Sequence, residues 1–125
     1  MHENDLSYRI RGAAFTVHTE LGPGLFESVY EVALAHELQK DGLDVKRQLG
    51  IPVHYDGLRM DQGYRADLLV VGKVIVEIKS VETLQDVHYK QLLTYIRLAD
   101  IRLGLLMNFN SVSLKDSITR IVNDL

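Results

Sequence analysis

Leu6, Ile10, Ala13, Ala14 and Val17 recur at intervals of three and four, which places them on one stripe of a helix running to about Leu21, with Asp5 or Ser7 as its cap. Gly22-Pro23-Gly24 breaks the period, and a second helix is predicted from Leu25 to Lys40, closed by Asp41-Gly42. From Leu43 to Tyr55 the period falls to two, with Val45, Arg47, Leu49, Ile51, Val53 and Tyr55 alternating against polar or small residues and Pro52 interrupting. This reads as one strand, or as two pieces bent at Gly50. Asp56-Gly57 supplies a turn, Leu58 to Met60 a short strand, and Asp61-Gln62-Gly63 a loop into the middle of the chain.

That middle segment is the most apolar part of the sequence. Asp67 to Val71 and Val74 to Lys79 flank Gly72-Lys73 and predict a tight hairpin whose strands are apolar on both faces, the pattern of strands at the centre of a sheet. Within the second strand Glu77 and Lys79 point the same way, about 7 Å apart, while Val74, Val76 and Ile78 point the other way. Taken alone, Glu-x-Lys is a common solvated edge pair. In a covered central strand the same charges are costly unless they bind something, and a divalent cation held by Asp67 and Glu77 would supply the compensation.

A third helix is predicted from Ser80 or Thr83 as cap to about Ala99. Leu84, His88, Gln91 and Tyr95 form one stripe on it, and Leu92, Ile96 and Ala99 form its apolar neighbour, as expected of a helix that packs on the sheet and borders a cleft. Arg102 to Phe109 reads as a buried strand and Ser113 to Val122 as a short hairpin turning at Asp116-Ser117. Glu27 and Tyr30 share a face of the second helix, although a Glu in a first turn is also favoured by the helix dipole alone.

Composition narrows the chemistry. The length of 125 residues suits one domain spanning 1–125, and 46% hydrophobic with 25% charged residues is ordinary for a globular protein. The absence of cysteine removes disulfides, thiolate nucleophiles and Cys-ligated zinc, and fits a reducing compartment. No signal-peptide pattern or membrane-span-length run is present, so a cytoplasmic location is expected. A net charge of −3 argues against a broad nucleic-acid-coating surface, but not against an enzyme that grips a few phosphates beside a metal.

The elements in this order, carrying Glu27, Asp67, Glu77-x-Lys79 and Gln91-x-x-x-Tyr95, resemble the PD-(D/E)XK nuclease superfamily. Gly24-Leu-Phe-Glu27-Ser-Val-Tyr30 is similar to the signature of the GxxExxY proteins, one branch of it. Val17-His18, Leu21-Gly-Pro-Gly24, Tyr64-Arg-Ala-Asp67, Val76-Glu-Ile-Lys79, Gln91-Leu-Leu-Thr-Tyr95 and Asn108-Phe109 look like that branch's other blocks. The resemblance spans roughly residues 8 to 122. It implies an α/β fold with a restriction-endonuclease-like core: a mixed β-sheet flanked by helices in α-β-β-β-α-β order, with an extra N-terminal helix. It also implies that Asp67, Glu77 and Glu27 bind Mg²⁺ or Mn²⁺, that Lys79 orients or activates the attacking water, and that Gln91 and Tyr95 assist in positioning. Tyr30 and Arg65 are expected at the substrate; Arg65 and Lys73 are phosphate candidates, with a solvated surface role the alternative for both. Ala66 stands in place of the proline of the superfamily's name, and Asn110 where many relatives have glycine.

The function this implies is a metal-dependent nuclease, with DNA favoured over RNA and a homodimer among the possible states. Phosphodiester cleavage needs a nucleophilic water and charge stabilisation at phosphorus, and an oxygen-ligated cation supplies both. The competing class is a catalytically quiet module that keeps the fold to bind nucleic acid or a partner protein. Such a module would be expected to have lost an acidic ligand or Lys79. A small-phosphoester hydrolase is disfavoured by the lack of a Gly-rich phosphate-cradling loop.

Overall fold

The computed structural model describes residues 1–125. Two helices come first, α1 (Glu3–Leu21) and α2 (Glu27–Lys40), followed by strands β1 (Val45–Tyr55), β2 (Leu58–Val70) and β3 (Val74–Lys79). Helix α3 (Asp86–Leu98) leads to β4 (Leu103–Asn108), and a short 3-10 turn at Leu114–Ser117 leads to β5 (Ile118–Val122). The five strands form one mixed sheet in chain order, antiparallel except for the β3–β4 pair. The expected α/β architecture is present, with β5 as an additional edge strand.

The sheet is covered on both faces. Leu6, Ile10, Ala14 and Val17 of α1 and Tyr30, Leu34, Ala35 and Leu38 of α2 pack with Val74, Val76 and Ile78 of β3 and Leu103, Leu105 and Met107 of β4. On the other face, Leu92 and Ile96 of α3 pack with Ile51, Ala66, Ile75 and Leu106. Alternation along β3 therefore divides its apolar residues between two cores, as its two-sided pattern implied. Gly104 on β4 lets α3 sit close, since a Cβ there would come within 2.9 Å of the Leu92 side chain.

Several boundaries differ from the sequence reading. Helix α1 starts two residues before Asp5, with His2 as cap: its Nδ1 accepts the Asn4 N–H at 2.9 Å. Helix α3 begins after Gln85, not at Ser80 or Thr83, and His88 Nδ1 accepts the Gln85 N–H at 3.0 Å. The expected hairpin at Ser113–Val122 is a 3-10 turn plus one strand, because β4 takes β5 as its antiparallel neighbour.

The largest difference is that β2 runs unbroken from Leu58 to Val70. Asp61-Gln62-Gly63 is a bulge inside it: the register passes from Ile51–Tyr64 to Val53–Met60, so β2 has two more residues than β1 there. Pro52 sits opposite and has no N–H for the ladder, so the irregularity falls where pairing is already interrupted. Gly63 is needed at this spot because a Cβ would fall 1.9 Å from the Val53 side chain.

Candidate active site

The β2–β3 ladder stops at the Leu68–Val76 pair. Leu68 belongs to the core under α1 and α2, whereas Ala66 belongs to the core under α3. Residues two apart on a regular strand share a face, so β2 twists at Asp67. β1 turns opposite it, where Gln48 adopts a left-handed φ of 51°. Residues in that region cost about 1–3 kcal/mol and persist only when the surroundings hold them there. The fork opened by this twist is the mouth of the candidate site.

Asp67 is fixed inside the fork. Its Oδ2 accepts the backbone N–H of Ile78 at 2.8 Å, and its Oδ1 accepts Gln48 Nε2 at 3.3 Å. Glu77 on β3 is 6% exposed, and its Oε1 is buried without a hydrogen-bond partner. Burial, reinforced by the neighbouring Asp67 charge, pushes the Glu77 carboxyl up to about 9, against the opposing pull of Lys79. Lys79 ends β3 half-buried and forms no ion pair. Register carries it to the rim: Phe109 N–H donates to the Lys79 carbonyl at 2.8 Å, and Asn108 Oδ1 accepts the Val81 N–H at 3.1 Å. Ser80 Oγ ties the same loop to the Leu25 carbonyl at 2.6 Å.

A cleft of about 160 Å³ between the sheet and α3 is lined by Arg65, Asp67, Glu77, Lys79, Gln91 and Tyr95, among others. Tyr95 stacks on Tyr64 with ring centroids 3.8 Å apart, and the Tyr64 hydroxyl donates to the Tyr95 carbonyl. Burial first, and then the carboxylate charges, push both phenols up. Arg65 and Gln91 are exposed at the mouth. A larger hollow of about 850 Å³ along α1, holding the Arg9–Asp41 ion pair at 2.8 Å, contains none of these groups.

Three expected residues are placed differently. Glu27 is the exposed first residue of α2 and faces a second opening, shared with Asp67 and Lys79 but not with Glu77. No three acidic or histidine side chains converge to hold one ion: Asp67 and Glu77 line the cleft beneath α3, and Glu27 does not. Tyr30 is fully buried: its ring stacks on Phe109 at 4.6 Å, while its hydroxyl donates to the Gly22 carbonyl and accepts the Leu25 N–H. It holds the α1–α2 turn and offers nothing to a substrate. Lys73 lies at the opposite end of the hairpin, donating to the Met1 carbonyl at 2.7 Å.

One group that pattern alone passed over stands out. Glu31, 6% exposed, accepts Arg47 Nη2 at 3.0 Å and also Gln48 Nε2, the same amide that reaches Asp67. Glu31 sits one helical turn after Glu27 and looks like surface until β1 brings Arg47 and Gln48 against it. The spacing did hold one hint, since it places Glu31 beside Glu27, but nothing in the sequence names its partners.

The donor set suits a hard divalent cation. Two carboxylates line one cleft, and the unpartnered Glu77 oxygen is the sort of buried acceptor that calls for an ion or a proton. No helix is long and apolar enough to cross a membrane. No curated protein and no solved structure matches the chain. The pattern of one family does match, over residues 4–121. That span takes in both strands of the fork and α3, and by it the chain belongs to the PD-(D/E)XK nuclease superfamily.

Proposed function

We propose that the protein is a divalent-metal-dependent nuclease of the GxxExxY branch, acting as a single domain on phosphodiester bonds in DNA. The observation that carries this reading is Glu77: a buried carboxyl with a free oxygen, facing Asp67, beside a lysine with no carboxylate partner. Superfamily enzymes typically use divalent metals. Asp67 and Glu77 would hold Mg²⁺ or Mn²⁺, which supplies a Lewis acid for the phosphate and a more acidic bound water.

The chain's own groups do the rest. Ile78 N–H and Gln48 orient Asp67, so the carboxylate need not reorganise when charge develops. Lys79 orients or activates the attacking water from the rim. Arg65 grips a phosphate at the mouth, Gln91 positions water or substrate, and Tyr95, held on Tyr64, walls the cleft. Glu27 adds negative charge on the α2 side of Asp67.

The reading is tested by incubating the purified protein with Mg²⁺ or Mn²⁺ on linear, circular and single-stranded DNA and on RNA, with Asp67→Ala as control. Metal-dependent cleavage of DNA that Asp67→Ala lacks is expected. Binding without cleavage under every condition would instead make the chain a quiet nucleic-acid module.

A further inference from the structure

His88 sits on the α3 stripe of Gln91 and Tyr95 and lines the same cleft as Asp67, Glu77 and Lys79. Its half-buried ring is fixed at the helix end, where Nδ1 accepts the backbone N–H of Gln85 at 3.0 Å. A backbone N–H can only donate. Nδ1 is therefore the unprotonated nitrogen, and the ring carries its proton on Nε2. The bond to Gln85 is the ring's only one within the chain, so the Nε2 proton is left to whatever enters the cleft.

An imidazole beside two carboxylates can bind metal, act as a base or donate a hydrogen bond, and two of these roles are closed to His88. Asp67, Glu77 and His88 do not converge as a group of three around one ion, and the Nδ1 lone pair is already engaged by Gln85. A general base needs a free lone pair in reach of the water it activates, and the ring has none: Nε2 holds the proton. Donation remains.

We propose that His88 Nε2–H donates to a non-bridging oxygen of the phosphate being cut, from the α3 wall of the cleft, while Asp67 and Glu77 face that phosphate from the sheet. The inference rests on the nuclease reading, which puts a phosphodiester in this cleft, and adds a substrate-binding residue to it. A donor whose ring is already held by the Gln85 bond need not rearrange as charge builds on the oxygen. Its acceptor is charged, which makes the bond stronger than one between neutral groups. One side chain thus serves twice: Nδ1 caps α3 and Nε2 binds the phosphate.

Capping alone would account for the Nδ1 bond, so cap and donor are tested apart. His88→Ala lacks both, whereas Gln85→Ser/His88→Ala places a capping hydroxyl at the exposed start of α3 and still lacks the donor. Thermal melts check that both variants are folded at the assay temperature. Single-turnover cleavage of labelled linear DNA with Mn²⁺ should slow by about 10- to 100-fold in both, the scale of a hydrogen bond to a charged group. Mn²⁺ affinity by calorimetry should stay at the wild-type value. In metal-free protein at pH 8, ¹⁵N NMR of the histidine rings should show His88 as the Nε2–H tautomer. Wild-type cleavage by the double variant makes the ring a cap only and overturns the proposal. Lost Mn²⁺ affinity in the double variant, which would make the ring a ligand, or an Nδ1–H tautomer, overturns it equally. In those cases cleavage by wild type, absent in Asp67→Ala, leaves the nuclease reading standing and only the His88 assignment falls. If folded wild type cleaves nothing, the reading and the assignment fall together.

Discussion

The Asp67 carboxylate accepts the backbone N–H of Ile78 at 2.8 Å, just past the last regular β2–β3 pair. A side chain thus takes over where the ladder stops. The strands separate without orphaning that N–H, and the opening they leave is walled by Asp67, Glu77 and Lys79. Shape and chemistry come from one substitution in the hydrogen-bond pattern.

The raised Glu77 carboxyl has a consequence for stability. Its value goes from the ordinary 4.5 to about 9, so between those limits the folded chain keeps a proton that the unfolded chain loses. This contribution is complete below the unfolded value and is lost as pH rises through the folded one. Without metal, the melting temperature should fall between about pH 5 and pH 9, Glu77→Gln should flatten that fall, and Mn²⁺ should restore stability at the alkaline end. Thermal melts across that range in EDTA and in Mn²⁺ check it. A melting temperature equally pH-dependent in wild type and Glu77→Gln would contradict the assignment.

Lys79 is expected to separate binding from turnover. Lys79→Ala leaves both carboxylates in place, so cation affinity should be retained or slightly tightened as a like charge is removed. Cleavage should slow by about 10²-fold or more, the scale of losing a positioned acid-base group. Single-turnover rates alongside calorimetry measure both. A variant that cleaves as fast as wild type would reduce Glu-Ile-Lys to scaffold.

Much of this was legible where periodicity is strong. The two-faced apolar pattern of Val74 to Ile78 put β3 at the sheet's interior, and the spacing of Gln91 and Tyr95 beside Leu92 and Ile96 put a mixed helix face over it. Asp61-Gln62-Gly63 misled because its composition is that of a turn. Only the partner strand, with Pro52 opposite and Val53 against Gly63, makes it a bulge in a continuous strand. Tyr30 misled differently: spacing set it beside Glu27, but burial against Phe109 depends on β4, far along the chain. The same distance hid Glu31, whose partners lie on β1.

Gln48 should act on the site through Asp67. Its amide bridges Glu31 and Asp67 across a strained backbone, so Gln48→Ala should weaken Mn²⁺ binding and slow cleavage with little change in melting temperature. Glu31→Ala should do the same and in addition destabilise the fold, by only about 1–2 kcal/mol because Arg47, 45% exposed, is rehydrated when its partner goes. Parallel melts and Mn²⁺ titrations distinguish the two. If Gln48→Ala binds Mn²⁺ as wild type does, the amide only braces Glu31.

Titration calorimetry with Mn²⁺ at pH 8 tests most directly whether Asp67 and Glu77 are paired for a cation. Because Glu77 holds its proton up to about 9, binding should release one, seen as a heat that varies with the buffer's ionisation enthalpy. Wild type should bind with that proton release, and Asp67→Ala and Glu77→Gln should each lose the binding. Equal Mn²⁺ affinity in wild type and both variants, or no binding to folded wild type, would contradict the account.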